Sequence, residues 1–469
     1  MGAALRRSVS PALVPGSRAF AVYSLKAYIP YYRRNLRIAF PVMLTQLGAA
    51  LVGLADSIMV GHYGTTDLAA VSLGNGIFFT VMVFSMGSLM GITPLTGQAF
   101  VQNDDRRVAM LLQNGLLFTL IVGGITCGLL ALCVPFMDRM GQDPAVVEAA
   151  RPYLITRIAG LLPFLYFCVL KQFLEGLGNT LVAMLVCLAL NLLNILLNWV
   201  FIFGHWGAEP MGAYGAGLAS LIATSLMPVA FFAAILLKAE WRRYLTLFSR
   251  RLTSRGCLAE LARVGFPIGI QTTMETVLFT LSFIMVGWIG KEALAAHHIA
   301  NNVADFAFML SLGVGAATTI RVSHQYGLHD YHAMQMAARA SVHLILLMNT
   351  VGAALMIGLR NWLPLLFSDD PEVIRIASPL LVFAGLFQYA DGLQCVGAGM
   401  LRGITDVRRP MHYAFLSYVL IALPLGYVLM FPAGMGVEGM WVSFIVALSL
   451  AAFFFHARFR RLTRRLPAA

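Results

Sequence analysis

Four carboxylates stand where carboxylates are costly. Asp56, Glu275, Asp305 and Asp391 each lie well inside an apolar run long enough to cross a bilayer. An acid at the centre of such a run costs about 2.5 to 3.5 kcal/mol on insertion scales, so it is retained where it faces a cavity or a partner. Few basic residues share their depth: Arg157 is the nearest, and Lys171 stands closer to a span end. A carboxyl group withdrawn from water can take up and release a proton near neutral pH. Together with amide and backbone carbonyl oxygens it can instead hold a hard cation such as Na⁺. The residues leave both chemistries open. The plainer reading gives each acid one buried hydrogen bond or a local break, and four acids in one chain weigh against it.

Other residues belong to the same question. Asn191, Asn194 and Asn198 recur at spacings of three and four, which places three amides on one face of an apolar helix. Such a stripe is either a bond between helices or part of a cavity wall. Pro41 and Pro267 sit inside spans, where a missing amide proton permits a fixed bend or a hinge. His297 and His298 read as packed or interfacial, because no further metal ligand stands at motif spacing. Gly87-x-x-x-Gly91 and Gly124-x-x-x-Gly128 permit close helix approach. The six cysteines lie in or beside apolar stretches without CxxC pairing and read as structural. No GxxxxGK[ST] loop is present, so neither direct ATP drive nor an ATPase subunit is implied.

The elements that must position these groups follow from composition. Of 469 residues, 59% are hydrophobic and 12% charged, against about 25% charged in soluble domains. The expected fold is an all-α polytopic membrane protein with twelve spans, near 36–61, 68–99, 107–135, 147–175, 181–204, 212–238, 258–289, 293–322, 336–367, 373–401, 411–431 and 436–458. The net charge of +12 gathers in the tails and in alternate connections, for example Arg242, Arg243, Arg250 and Arg251. That is a positive-inside pattern rather than a nucleic-acid face, and it places both termini in the cytoplasm of a plasma (inner) membrane protein. The acid-free, basic segment 1–32 reads as a cytoplasmic tail, with an organelle transit peptide as the alternative.

An internal repeat organises the spans. Phe40-Pro41 returns as Phe266-Pro267, Ile58-Met59-Val60-Gly61 as Ile284-Met285-Val286-Gly287, Asn75 as Asn301 and Gly87 as Gly313, all at an offset of 226 residues. Pro152 and Pro379, then Gly176 and Gly403, continue the series at 227. A collinear series argues for duplication. Six spans per half put both halves in the membrane the same way round, as two six-helix bundles related by a pseudo-two-fold axis along the membrane normal. The expected organisation is a tail over 1–32, a first bundle over 33–238, a basic linker over 239–256, a second bundle over 257–460 and a tail over 461–469. Two bundles that rock about a cleft provide alternating access.

The segment FPVMLTQLGAALVGLADSIMVGHYGTTDLAAVSLG, its later counterparts LAAHHIANNV and LGVGAATTIRVSHQYG, and the stretches NILLNWVFIFG and FQYADGLQCVGAGMLRGITDVRRP resemble the multidrug and toxic compound extrusion (MATE) family of the NorM type. The resemblance runs from about residue 33 to 458. It implies roles in proton or sodium coupling for Asp56 with Asn194 and Asn198, and in cation binding for Glu275 and Asp391. One turn before Asp391, where the family has a tyrosine, this chain has Phe387, so a sodium site there lacks that hydroxyl. Asp305 matches no family signature and reads as a cavity acid, a proton relay or a partner for a polar neighbour. The implied activity is secondary antiport by a monomer, exporting small lipophilic organic cations across the bilayer against Na⁺ or H⁺, with no cofactor beyond the coupling ion. A flippase for lipid-linked or anionic substrates is the alternative within this architecture, and it would favour basic rather than acidic cavity residues. A membrane enzyme or receptor is the reading from another class, and neither a nucleophile motif nor a seven-span plan supports it.

Overall fold

The structure is a computed structural model that describes residues 25–466. The expected tail charges Arg6, Arg7 and Arg18 lie outside the described residues. Among those described there are fifteen α-helices and no strand, and twelve stretches are long and apolar enough to cross a membrane. In the first half the spans are α1 (Leu25–Tyr63), α2 (Thr65–Leu89) running into α3 (Ile92–Val101), α4 (Asp105–Cys133), α5 (Pro144–Gly176), α6 (Leu181–Phe203) and α7 (Gly212–Leu237). A short helix, α8 (Ala239–Thr246), leads to the second half: α9 (Arg255–Gly287), α10 (Lys291–Gly327), α11 (Tyr331–Gly358) and α12 (Pro371–Gly403). Then α13 (Arg408–Ala414) passes through a π-helical stretch at Phe415–Ala422 into α14 (Leu423–Met430), and α15 (Val437–Thr463) closes the chain.

Helix starts obey the repeat. Asp104 caps α4 by accepting from the Arg107 amide, and Asp330 caps α11 by accepting from the Ala333 amide. Asp143 and Asp370 do the same for α5 and α12. Each cap is worth about 0.5–2 kcal/mol and sets where its span begins. Two expectations shift. The first helix starts at Leu25, inside the stretch read as a tail, and the linker contains α8, whose Trp241 and Tyr244 are buried while Arg242 and Arg243 point outward. Spacing of three puts the two aromatics on one face, so the basic segment is packed down rather than free.

The end of the molecule that carries both described termini and α8 is called here the basic end. There the two bundles exchange their leading helices. Ala39 and Met43 of α1 belong to the apolar core of the second half, and Cys257, Leu261, Val264 and Ile268 of α9 belong to the core of the first. Asn35 anchors the crossing of α1 by donating to the Ala337 carbonyl (3.0 Å) and to Ser341 Oγ (2.9 Å) on α11. Small residues allow the crossings. A Cβ on Gly87 would lie 2.7 Å from Gly269 Cα, and one on Gly265 would collide with the Ser88 carbonyl. Repeat-related Gly313 meets Met43 and Ala39 in the other crossing. The second glycine motif behaves differently, because a Cβ on Gly124 or Gly128 would touch nothing within 4 Å. Its helix, α4, instead exposes Leu120, Ile121, Ile125 and Leu129, a surface suited to lipid. The prolines Pro41 and Pro267 are both buried, within α1 and α9, and each helix continues through its proline.

Candidate functional site

The sequence-selected acids fall into one group in each half. In the first half α1 packs on α6, and the amide stripe of α6 faces α1. Asn198 Nδ2 donates to Asp56 Oδ1 and also to Asn194 Oδ1 at 3.3 Å. Asn194 and Asn198 are buried and Asp56 is half-buried. Asn191, one turn earlier, keeps a buried Nδ2 without a partner and lies against Gly48 of α1. The stripe is therefore a polar seam onto the acid, one of the two readings the spacing allowed. Arg157 of α5 stands within electrostatic reach of Asp56, stacks its guanidinium over Phe78 at 4.4 Å, and leaves its Nε unpaired. It borders a cavity of about 80 Å³ together with Phe78, Met82, Phe164, Ser220 and Thr224.

In the second half Asp391 is 1% exposed and its Oδ2 has no hydrogen-bond partner. Glu275 of α9 and Asp305 of α10 both lie within electrostatic range of it. Glu275 Oε1 is likewise buried without a partner. Around them Gln394 donates to the Tyr418 hydroxyl (2.5 Å), Asn349 donates to the Gln388 carbonyl (2.6 Å), and Gln388 donates to the Ala304 carbonyl (3.1 Å). Gln388, Asp391 and Gln394 recur every three residues, so α12 turns one polar face inward. Asp305 is exposed and accepts from Asn301 Nδ2 at 3.1 Å one turn away. Its counterpart in the repeat is Phe79, which is also exposed. The second half thus carries an acid where the first carries an aromatic ring.

Buried polar atoms are paired in the great majority of cases, and of the three buried carboxylate oxygens without a hydrogen bond, that of Glu175 has Lys171 Nζ 3.8 Å away while those of Glu275 and Asp391 lie together. A proton or a bound cation completes such an oxygen. Asp56 has a donor in place on Asn198, and Glu275 has Gln394 beside it, so Asp391 is the barest of the three. Phe387 is 4% exposed and meets Phe279, Trp441 and Phe444 with ring centroids 5.6–6.2 Å apart. Its seat is apolar, which accounts for a phenylalanine there. His297 is fully buried beside Phe283, with Ser282 Oγ 3.2 Å from its Nε2, and His298 is exposed. Sequence reading passed over Gln388, Gln394, Asn349 and Tyr418, and it took Arg402 for a charge in a connection, whereas Arg402 lies in the last turn of α12 within electrostatic range of Glu275, its Nε buried without a partner. The three-residue spacing of Gln388 and Gln394 about Asp391 was the available signal.

Among the described residues, hydrogen bonds and ion pairs that join the two bundles gather at the basic end. Gln98 of α3 donates to the Gly403 carbonyl (3.0 Å), and His324 Nε2 of α10 bonds the Gly176 carbonyl (2.8 Å). Tyr32 pairs with His343 (2.8 Å), and Arg107 forms an ion pair with Glu260. Toward the other end α1 exposes Leu51, Leu54 and Ile58, and α9 exposes Ile284, with exposed Trp288 just past its end.

Comparison with known proteins agrees with this arrangement. The MatE family profile matches twice, at residues 41–200 and 267–428, once in each half. A protein of Xanthomonas campestris pv. campestris named probable multidrug resistance protein NorM is 34% identical over 433 residues, covering 92% of this chain and 94% of its own. A protein of the same name from Rhizobium meliloti (strain 1021) is 34% identical over 444 residues, covering 94% and 95%. Among solved structures, a MATE protein in complex with MaL6 superposes with a TM-score of 0.84 at 21% identity, over 93% of this chain and 97% of that one. The eukaryotic MATE transporter AtDTX14 gives 0.83 at 18% identity, over 94% and 98%. With twelve spans, two related halves and a family match in each, the chain belongs to the MatE family.

Proposed function

We propose that this protein is a secondary antiporter that exports lipophilic organic cations in exchange for Na⁺ or H⁺. The observation that carries the reading is the pair of buried, partnerless carboxylate oxygens on Glu275 and Asp391. An entering cation and a departing one compete for such groups, and the bundles change face when the groups are occupied. Asp56, held by Asn198 beside Asn194, serves as a second coupling acid in the other bundle. Asp305, exposed on α10, acts as an outlying acid on the path to Asp391, and Asn191 lines the route to Asp56. Pro41 and Pro267 stand where the exchanged helices enter the opposite bundle cores, the positions a hinge would occupy. The two related proteins are named as multidrug resistance proteins, which supports small-molecule export as the activity. The positive-inside pattern supports a plasma (inner) membrane protein with the basic end in the cytoplasm. The protein works as a monomer without a cofactor.

The test is uptake and efflux of a lipophilic cation in proteoliposomes under separate Na⁺ and H⁺ gradients, with Asp56→Asn, Glu275→Gln and Asp391→Asn. Each variant is expected to slow coupled transport at least tenfold, and one of the two gradients to drive it. Undiminished transport in all three would remove these residues from the site, and drive by neither gradient would remove antiport.

A further inference from the structure

We infer that Gln98 and His324 form a two-fold latch that holds the basic end of the molecule shut and sets how often it opens. The inference rests on the transport reading for its purpose, though its geometry stands without it.

Gln98 and His324 are the same position in the two halves, at the repeat offset of 226, and Gly176 and Gly403 are the same position at 227. The bonds cross over: the first half's Gln98 reaches the second half's Gly403, and the second half's His324 reaches the first half's Gly176. Both acceptors are the last residues of their helices, α5 and α12, so neither carbonyl has an amide of its own helix to pair with. The following turns match as well. Asn179 N bonds Leu174 O, as Asp406 N bonds Leu401 O, with Gly178 and Thr405 in the left-handed region at φ +81° and +59°. Each turn leaves one terminal carbonyl aimed at the opposite bundle. Since a carbonyl only accepts, Nε2 of His324 carries the proton of its bond.

The approach is close on both sides. A Cβ on Gly97 would lie 3.1 Å from the His324 ring, and one on Gly327 would lie 2.9 Å from Gln98 Cα. Thr93 donates to the Gln172 carbonyl (3.0 Å) and Thr319 to the Gly399 carbonyl (3.2 Å), so each donor helix is pinned within its own bundle. Gln102 adds a lesser bond to the Gly327 carbonyl (3.1 Å). Opening this end breaks both crossed bonds together, because each bundle moves as a body. A net hydrogen bond of about 1 kcal/mol corresponds to roughly a fivefold change in the ratio of closed to open states, and two correspond to about 30-fold.

The experiment measures the distance between spin labels at Arg106→Cys and Leu328→Cys, both exposed and one in each bundle, in a cysteine-free full-length chain reconstituted in lipid. Gln98→Leu or His324→Leu alone should lower the closed-to-open ratio roughly fivefold, and the double variant about 30-fold. Gln98→His and His324→Gln, which keep a donor, should retain the parental distribution. The inference is overturned if the leucine variants leave the distances unchanged, or if the donor-keeping variants open as far as the leucine ones. No substrate is needed for this readout, so a chain that transports nothing can still show the latch. A transporting chain with unaltered distances removes the latch alone.

Discussion

Asp391 and Asp56 illustrate two ways of keeping an acid inside a bundle, and they respond to mutation with opposite sign. Asp391 is enclosed, with an oxygen that nothing donates to and two further acids within electrostatic range. Replacement by asparagine removes a charge that no partner compensates while preserving shape, so Asp391→Asn should hold or raise thermal stability while transport falls. Asp56 has its donor on Asn198. Asn198→Ala withdraws a hydrogen bond to a charged group, worth about 1.5–3 kcal/mol, and should lower the melting temperature by several degrees. Thermal unfolding of both variants in detergent checks the pair, and a fall of equal size in both would mean that Asp391 is a structural acid. The four acids were legible because a charge in hydrocarbon contradicts its surroundings. Gln388, Gln394 and Asn349 were not, since a neutral amide in an apolar run marks its function far less strongly.

At the scale of elements, the helix crossings decide how near the two halves come. The motifs Gly87-x-x-x-Gly91 and Gly124-x-x-x-Gly128 read alike in sequence, yet the structure uses one and leaves the other open. Gly87 of α2 and Gly91, just before α3, meet Gly269 and Gly265 of α9, backbone against backbone. Gly265→Ala therefore drives a methyl into the Ser88 carbonyl and should cost several degrees of melting temperature or prevent recovery of monodisperse protein. Gly124→Ala, with open space around it, should stay within about 0.5 kcal/mol of the parent or gain slightly from helix propensity. Size-exclusion profiles and melting curves of the two variants compare them directly. The α-helical character, the number of spans and the capping aspartates all follow from local pattern. The break between α2 and α3 falls at Gly91, three residues before Pro94, and the π-helical stretch at Phe415–Ala422 ends two residues before Pro424, so both lie beside residues that disturb the helical hydrogen-bond ladder.

For the whole molecule, the exchange of α1 and α9 makes the halves interdependent, although the sequence repeats from one half to the other. Residues of α1 complete the second core, and residues of α9 complete the first. A chain cut in the connection after α8 has its first half exposing Ala39 and Met43 and lacking Leu261, Val264 and Ile268. Expressed alone, residues 1–250 should be degraded or aggregate, whereas co-expression with 251–469 should restore a folded pair that migrates together. A stable, monodisperse first half on its own would show that the exchange contributes little. The hydrogen bonds between the halves collect at the basic end, while Asp56, Glu275 and Asp305 stand away from it on α1, α9 and α10.

From the sequence alone came twelve apolar runs, a duplication at 226 to 227 residues, and acids placed where only a cavity or partner tolerates them. Each is a statement about solvent or about periodicity, and such statements need no knowledge of which helices touch. What only the tertiary structure decided is pairing: that Asn198 reaches Asp56, that Asp391 and Glu275 keep bare oxygens, that one glycine motif is a crossing and the other faces outward. The first helix began earlier than expected, where Tyr28 joins a small cluster with Met336 and Ala340 on α11, and the basic linker holds a helix whose Trp241 and Tyr244 are buried. Contacts between distant segments depend on how whole helices are oriented and crossed. Hydropathy along a chain records how deep a residue lies but not which neighbour it meets there.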